Sequence, residues 1–320
     1  MRLIIRNIGV IRDACIEIDG ITVITGENLS GKSTALKALS SLISANNRTG
    51  GGLLSDAKLV ALRSFRERFG DVINCPYIES EGSVSVTCDS GRKSEVVFAR
   101  NEVKSFEPFD NESGKLSAVF LEAPSLFGTA FPETGKIAPS LMELLMKDAS
   151  SDEIPEDCRK VVDSFIDNVI HCSFVRDGEN GELMFRDDRM SASSLSMCNT
   201  PSGAGVFAVL RRLVQNRSLS ENDILVIDEP ETGLHPEWQI KLARLLVLIA
   251  EKMDVRIFLT TNSLYFLRAV EVVSTETTPE NRLDCYLMRK ENDGPLYRAC
   301  CVTGKTEEIY REMYRPLEEL

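Results

Sequence analysis

The feature that most constrains the fold is a glycine-rich segment near the start of the chain. Residues 26–33 have the sequence Gly-Glu-Asn-Leu-Ser-Gly-Lys-Ser and match the pattern G-x-x-x-x-G-K-[ST] at every fixed position. A β-branched run, Ile-Thr-Val-Ile-Thr at 21–25, precedes the segment, and leucines with helical spacing follow it. A strand, a tight loop and a helix in this order are the structural context of a P-loop. The sequence therefore predicts an α/β protein with a phosphate-binding loop.

The residue types in this segment indicate which ligand it binds. Glycines let backbone N–H groups wrap phosphates, and the helix N-terminus that follows adds its dipole. Lys32 supplies a positive charge to the β- and γ-phosphates, and the Ser33 hydroxyl reaches Mg²⁺. The predicted ligand is therefore the phosphate chain of a nucleotide with Mg²⁺. The residues predicted to bind the nucleotide here are Gly26, Asn28, Ser30, Gly31, Lys32, Ser33 and Thr34.

A second motif lies in the last third of the chain. The apolar run Ile-Leu-Val-Ile at 224–227 ends in Asp228 and Glu229. Such a run is typical of a buried parallel strand. At its carboxyl end Asp228 can hold the Mg²⁺ ion, and Glu229 can polarise the water that attacks the γ-phosphate.

Composition excludes several classes of protein. The 320 residues carry a net charge of −12, and 43% of them are hydrophobic. This balance argues against a generally basic nucleic-acid coat protein and against passive adhesion to anionic lipid. The sequence has no apolar run of 18 residues and no secretory leader, which predicts a cytoplasmic protein without a membrane partner. Nine cysteines and two histidines without zinc-site spacing predict reduced thiols and no zinc site.

The pattern of elements predicts one nucleotide-binding core interrupted by a lobe. Strand and helix signals alternate in residues 1–45 and again in 195–303, which we assign to the core. The glycine-rich stretch 46–52 is the clearest linker. Residues 53–195 form the predicted insertion, with a strand pair near 84–98, helices over 138–146 and 155–170, and a hairpin over 174–185. Residues 304–320 are predicted to form a C-terminal helix.

The two motifs together carry a resemblance to a known family. Residues 26–33, combined with the run Asp-Glu-Pro-Glu-Thr-Gly-Leu-His-Pro at 228–236, resemble ABC-type ATPases of the SMC and RecF kind. The extension to Gln239 is similar to stand-alone AAA-domain ATPases of bacterial anti-phage defence, alongside OLD-type and Septu-type proteins. The resemblance covers about residues 1–45 and 195–275. It implies an ABC-type P-loop fold with an N-terminal antiparallel β-lobe and an inserted, mainly helical lobe.

The resemblance also implies a head-to-tail dimer in which two heads enclose ATP. Each composite site needs a signature motif from the opposite subunit, and the best match is residues 199–205. Ser202 and the Gly203 amide would contact the partner's γ-phosphate, whereas the alternative is a simple serine N-cap on the helix that follows. Residues 231–235 would form the loop that crosses the interface, with His235 as a packing residue.

Two further positions follow from the same resemblance. Asn262 stands where many family members have a switch histidine; because asparagine can hydrogen-bond a phosphate but cannot take a proton, slow hydrolysis is expected. Glu122 stands where a metal-contacting glutamine is usual, and a surface acid is the alternative. Arg6 and Arg12 are candidates to reach the nucleotide from the first hairpin.

The predicted function is an ATPase that forms a homodimer or a higher oligomer and gates a separate effector, such as a nuclease or toxin. Too few residues follow position 275 for a Toprim nuclease in the same chain. One alternative is a DNA-repair ATPase that binds nucleic acid directly. A basic helix could present a DNA-facing patch for this function, or its charged side could be an ordinary solvated face. Its basic residues are Lys58, Arg63, Arg66 and Arg68. The other alternative is a degenerate ATP-binding scaffold.

Overall fold

The computed structural model describes most of the chain. The residues that it describes are 1–49, 54–110, 116–122, 139–147, 156–169, 171–178, 181–187, 189, 194–197, 200–277, 283–291 and 294–318.

Strands and helices alternate in both halves of the chain. The elements up to residue 122 are β1 (Arg2–Ile8), β2 (Ile11–Glu17), β3 (Ile21–Gly26), α1 (Lys32–Thr49), α2 (Leu54–Phe69), β4 (Gly82–Thr87), β5 (Lys93–Ala99), β6 (Glu102–Glu107) and β7 (Ala118–Glu122). The later elements are α3 (Pro139–Met146), α4 (Glu156–Val169), β8 (Cys172–Arg176), β9 (Leu183–Asp187), β10 (Ser194–Ser196), α5 (Ser202–Gln215), β11 (Ile224–Asp228), α6 (Pro236–Met253), β12 (Arg256–Thr260), α7 (Leu264–Thr277), β13 (Leu283–Lys290), β14 (Tyr297–Cys301) and α8 (Glu307–Glu318).

The chain divides into two compact units. The first consists of Met1–Ala118, Arg256–Leu264 and Arg282–Leu320, and the second of Val119–Val255 and Tyr265–Asn281. Each unit is therefore assembled from segments that are distant in the sequence.

A large mixed sheet forms the first unit. Its strands lie in the order β6-β5-β4-β1-β2-β14-β13-β3-β12. Strands β1 and β2 form an antiparallel hairpin with Ile8 opposite Ile11, and β4, β5 and β6 continue the antiparallel part. Strand β3 is parallel to both β12 and β13, with Ile21 level with Ile257 and Leu283. The predicted antiparallel β-lobe and α/β core are thus confirmed.

Strand β3 is buried along its whole length because parallel neighbours and helices cover it. Helix α1 contacts β3 and also the strands β1, β4, β5 and β12. Its apolar residues Leu36, Leu39, Leu42 and Ile43 have helical spacing and are fully or almost fully buried. The direction of α1 away from the loop at 26–31 is therefore fixed by core packing.

Helix α5 organises the second unit. Its Phe207 ring contacts the Trp238 ring of α6 edge-on at 5.4 Å. Arg211 donates to the Cys172 carbonyl at 3.1 Å, and Arg212 donates to the Leu145 carbonyl at 2.9 Å. Helices α3 and α4 and the hairpin of β8 and β9 therefore converge on α5. The hairpin pairs Phe174 with Phe185, as the sequence predicted.

The structure differs from the sequence prediction in three places. Helix α1 continues through Thr49, so the predicted linker does not begin at position 46, and positions 50–52 lie outside the described residues. Asn46 stabilises this extension by donating to Ser94 Oγ at 3.0 Å and accepting from the Phe109 amide at 2.7 Å. Strands β6 and β10 were not predicted. Of the predicted helix ends, positions 138, 155 and 170 are also outside the described residues.

Candidate nucleotide-binding site

The loop between β3 and α1 has a shape that only glycine permits at two positions. Gly26 has φ +147° and Gly31 has φ +94°, both in the region that side chains disfavour. A Cβ on Gly31 would lie 2.8 Å from Ile11 Cγ1, and one on Gly26 would lie 3.0 Å from Met288 Cβ. The loop therefore lies between the β1–β2 hairpin and β13. These close contacts hold the loop backbone near the sheet.

Lys32 places its ammonium group over the start of this loop. Its Nζ donates to the carbonyl oxygens of Gly26 at 2.9 Å and Glu27 at 2.8 Å, and the residue is only 5% exposed. A nearly buried charge needs such acceptors. Phosphate oxygens accept stronger, charge-assisted hydrogen bonds than neutral carbonyls do, so this position suits a phosphate ligand.

The helix end beside Lys32 adds donors. Helix α1 begins at Lys32, and the first amides of an α-helix have no acceptor within the helix. The Ser30 hydroxyl is buried and has no hydrogen-bond partner among the described residues. A buried polar atom of this kind normally finds a ligand or water. Ser33 and Thr34 follow on the first turn, half-buried, and the Thr34 methyl packs against Gly9.

Asn262 lies beside the loop, at the end of β12. Its Nδ2 donates to Asn28 Oδ1 at 3.2 Å, and the preceding Thr261 amide donates to the Ile24 carbonyl at 3.0 Å. A cavity of about 340 Å³ borders this pair. Its lining consists of Gly26, Glu27, Asn28, Asn262, Leu287, Met288, Glu312 and Met313. The contribution of Glu312 and Met313 from α8 was not predicted, and no local sequence pattern indicates it.

The arginines of the first hairpin pair within that hairpin. Arg6 lies 3.6 Å from the Asp13 carboxylate, and Arg12 donates to Asn7 Oδ1 at 3.2 Å. On α2, Arg66 pairs with Glu102 at 2.7 Å and Lys58 donates to the Lys104 carbonyl at 2.8 Å. Of the basic positions on α2 that were candidates for a nucleic-acid surface, Arg66 thus has an acidic partner and Lys58 a backbone carbonyl.

In the second unit the predicted acidic pair follows a buried strand. Residues 224–227 of β11 are buried, Asp228 ends the strand and Glu229 has φ +46°. A non-glycine residue in this left-handed region is strained, and such strain is concentrated at functional sites. The Glu229 carbonyl accepts from the Thr232 amide at 3.1 Å, which turns the chain sharply after the strand.

His235 ends this loop as the N-cap of α6. Its Nδ1 accepts from the Glu237 amide at 3.4 Å, and Pro236 occupies the first turn. A proline and an acid at the start of a helix are the expected signals. His235 therefore caps α6, and its predicted role as an interface or packing residue stays a prediction.

The predicted signature residues lie at the start of α5. The helix begins at Ser202 with Pro201 as its N-cap, and the Pro201 carbonyl accepts from the Ala204 and Gly205 amides at 3.0 Å. The serine N-cap alternative is thus wrong, because Ser202 is the first helical residue. A Cβ on Gly203 would lie 3.2 Å from Leu234 Cδ2, so this end of α5 packs closely on the loop at 229–235.

Some predicted residues lie beyond what the structure describes. Asn199 and the side chain of Ser202 are outside the described residues, as are residues 123–124 after β7. Glu122 is the last residue of β7, and its side chain is also outside them. Among the described residues there is no cluster of three or more His, Cys, Asp or Glu side chains able to hold a metal, and no helix suited to crossing a membrane.

Comparisons with known proteins agree with this architecture. Residues 2–124 match a family model described as "AAA domain", and residues 201–268 match one described as "AAA domain, putative AbiEii toxin, Type IV TA system". A search of the curated proteins finds no match.

Two solved structures are similar to this chain over nearly its whole length. One is an SMC head bound to the C-winged helix domain of ScpA, with a TM-score of 0.55 and 9% identity, covering 94% of this chain and 96% of that chain. The other is a Pyrococcus furiosus Smc head domain with an extended coiled coil, bound to the C-terminal domain of ScpA, with a TM-score of 0.53 and 10% identity, covering 98% of both chains. This chain therefore has the fold of an SMC head. Together, the fold and the family models support an ABC-type AAA ATPase of the SMC and RecF kind.

Proposed function

We propose that this chain binds ATP with Mg²⁺, hydrolyses it slowly, and closes head-to-tail on a second copy when ATP is bound. The observation that carries the proposal is the loop at 26–31. Two glycines with positive φ, the Lys32 ammonium and the start of α1 form a cradle for a polyphosphate.

Mg²⁺ would be held by the Ser33 hydroxyl and the Asp228 carboxylate. Both are hard oxygen donors of the kind that Mg²⁺ prefers, and Glu122 is a third candidate. When bound, the ion would neutralise part of the negative charge on the phosphates. Glu229 would orient the attacking water, and Asn262 would donate a hydrogen bond to the γ-phosphate without taking a proton.

In the closed dimer, Ser202 and Gly203 of each copy would contact the nucleotide of the other. The start of α5 favours an anion because the positive end of the helix dipole lies there. A ligand shifts an equilibrium only by its difference in affinity for the two states. ATP would favour closure more than ADP because both copies contact the γ-phosphate.

The closed dimer would control a separate effector, such as a nuclease or toxin, in bacterial defence. This part of the proposal is supported by the resemblance of residues 228–239 to stand-alone defence ATPases. It is also in keeping with the "AbiEii toxin" wording that describes one of the matching families.

The first test is nucleotide binding. Replacing Lys32 with alanine removes the ammonium group from the cradle and should weaken ATP binding at least about tenfold, or roughly 1.4 kcal/mol. Calorimetric titration of the folded variant and the parent measures this. Equal affinities would remove the basis of the proposal. Lys37→Ala, on the same helix but beyond its first turn, is the matched control and should bind like the parent.

The second test concerns closure. Ser202→Arg adds bulk and charge at the start of α5 and should leave ATP binding within about twofold of the parent value while abolishing ATP-dependent dimerisation. Light scattering with a slowly hydrolysed ATP analogue measures the dimer. A Ser202→Arg variant that dimerises like the parent would place the γ-phosphate contact elsewhere.

A further inference from the structure

The C-terminal helix is attached to the strand that leads into the phosphate loop. On α8, Ile309 is fully buried and Met313, four residues later, lies on the same face. The Thr25 hydroxyl of β3 contacts Met313 Sδ at 3.4 Å, and Thr25 immediately precedes Gly26. A displacement of α8 would therefore act on Thr25, the residue directly before the loop.

Helix α8 also forms one wall of the cavity beside the loop. Glu312 and Met313 line this cavity of about 340 Å³ together with residues 26–28 and Asn262. Glu27 and Glu312 thus both border the space next to the loop. Glu312 therefore lines the same cavity as Asn262, the residue proposed above to donate a hydrogen bond to the γ-phosphate, and like charges repel.

An arginine on β13 holds α8 in this position. Arg289 donates to Glu308 at 2.7 Å and lies 3.5 Å from the Glu312 carboxylate. The Arg289 guanidinium holds the pKa of the Glu308 carboxyl below its usual value, as expected for an ion pair. Arg289 therefore offsets the negative charge that α8 brings to the loop.

Open space flanks the same part of the helix on a second side. Another cavity, of about 380 Å³, is lined only by charged residues. They are Arg289, Glu307, Glu308, Arg311, Glu312 and Arg315. Glu312 borders both cavities, and the ion pairs of Glu308 and Glu312 with Arg289 are solvent-accessible and therefore individually weak.

We propose that α8 is a gate that responds to the charge of the bound nucleotide. ADP leaves α8 closed against β3, whereas the added phosphate of ATP repels Glu312 and shifts α8 towards an open state. Arg289 sets the balance by holding Glu308 and Glu312. This inference rests on the proposed binding of ATP to the loop at 26–31.

Hydrogen exchange of the full chain tests the gate. We use the Ser202→Arg background so that dimer closure does not protect α8, and compare Mg²⁺-ADP with Mg²⁺ and a slowly hydrolysed ATP analogue. Amides of residues 307–318 should exchange at least about tenfold faster with the ATP analogue. Glu312→Gln should remove this difference, and Arg289→Ala should give fast exchange with both nucleotides.

Arg298→Ala is the matched control. Arg298 lies on the adjacent strand β14 and pairs with Glu291 at 2.7 Å, so its removal deletes an equivalent surface ion pair without touching α8. It should keep the parent response to the two nucleotides.

Nucleotide binding, measured on the same samples, separates the possible failures. If both nucleotides bind and α8 exchanges equally with each, or more slowly with the ATP analogue, the gate is overturned and the proposed ATPase is not. If neither nucleotide binds, both proposals are overturned.

Discussion

Two segments of this chain have the same plan, a buried strand followed by a strained loop and a helix. They differ in the type of residue that adopts the strained backbone conformation. At the end of β3 and in the loop after it, the residues with positive φ include Gly26 and Gly31, where a Cβ would lie 3.0 Å and 2.8 Å from its nearest neighbour. After β11, the strained residue next to the strand is Glu229, an acid with φ +46°. The first loop has glycines where we propose that its backbone approaches a ligand, whereas the second has a charged side chain at its strained position despite the backbone cost.

The turns that lead into these strands differ as well. Strand β3 follows Gly20, which has φ +58° and lies at the tip of a short turn. Strand β11 follows a turn in which Asp223 accepts from the Ser220 amide at 2.8 Å. Burial raises the pKa of Asp223 to about 6. The residue directly before β11 is therefore a carboxyl with a raised pKa, whereas the residue directly before β3 is a glycine.

The largest expected effect tests whether the strained acid is retained for chemistry. Glu229→Gln keeps the shape of the side chain but removes its charge, so it should hydrolyse ATP about 100-fold or more slowly while binding it normally. This corresponds to roughly 2.7 kcal/mol in the activation barrier. Steady-state phosphate release and calorimetric ATP titration measure the two properties.

Glu237→Gln is the control for this change. Glu237 lies exposed on the first turn of α6 and pairs with Lys241 at 2.8 Å, so losing its charge should leave turnover unchanged. If Glu229→Gln hydrolyses ATP at the parent rate, the strain at this position has another cause.

The second prediction tests the close contact between Gly31 of the first loop and Ile11 of β2. Gly31→Ala would place a Cβ 2.8 Å from Ile11 Cγ1 in a backbone with φ +94°. We expect it to lower the free energy of unfolding by about 2 kcal/mol, from strain and overpacking together. Urea denaturation of the parent and the variant measures this loss.

Gly91→Ala separates the two contributions. Gly91 has a similar φ of +82°, but a Cβ there would meet nothing within 4 Å. It should therefore cost only the backbone strain, about 1 kcal/mol. Equal losses in the two variants would mean that the contact with Ile11 contributes nothing.

The same contrast explains what the sequence could predict. Residues 26–33 and 224–229 were recognised because their chemistry requires particular residue types at fixed spacing, and the flanking strands and helices have clear periodicity. The edge strand β6 was missed because Phe106 is its one buried residue, which leaves no alternating pattern to detect. The extension of α1 to Thr49 depends on hydrogen bonds of Asn46 to Ser94 and Phe109, which only the tertiary fold provides.

Long-range placement limited the prediction of the site in the same way. A polar C-terminal helix was predicted from its local pattern, but nothing local places Glu312 and Met313 beside residues 26–28. That proximity arises because β13 pairs with β3, although α7 and β12 precede it in the chain. Arg289 of β13 then donates to Glu308 of α8.

The last prediction concerns the turn before β11. The pKa of Asp223 is about 6 in the folded chain, raised from 3.8 by burial, although the Ser220 amide and Lys147 favour the charged form. The folded state therefore holds this proton more tightly than the unfolded state. Its stabilising contribution is complete below about pH 4 and is lost as the pH rises through 6.

Asp223→Asn keeps an oxygen acceptor for the Ser220 amide and cannot ionise. Relative to the parent, its free energy of unfolding should rise by about 2 kcal/mol between pH 4 and pH 7. Urea denaturation at several pH values measures the difference, with the exposed Asp71→Asn as the control that should show no such trend. A difference that stays constant across this range would mean that the Asp223 carboxyl ionises alike in the folded and unfolded chain, and the electrostatic contrast between the two segments would not hold.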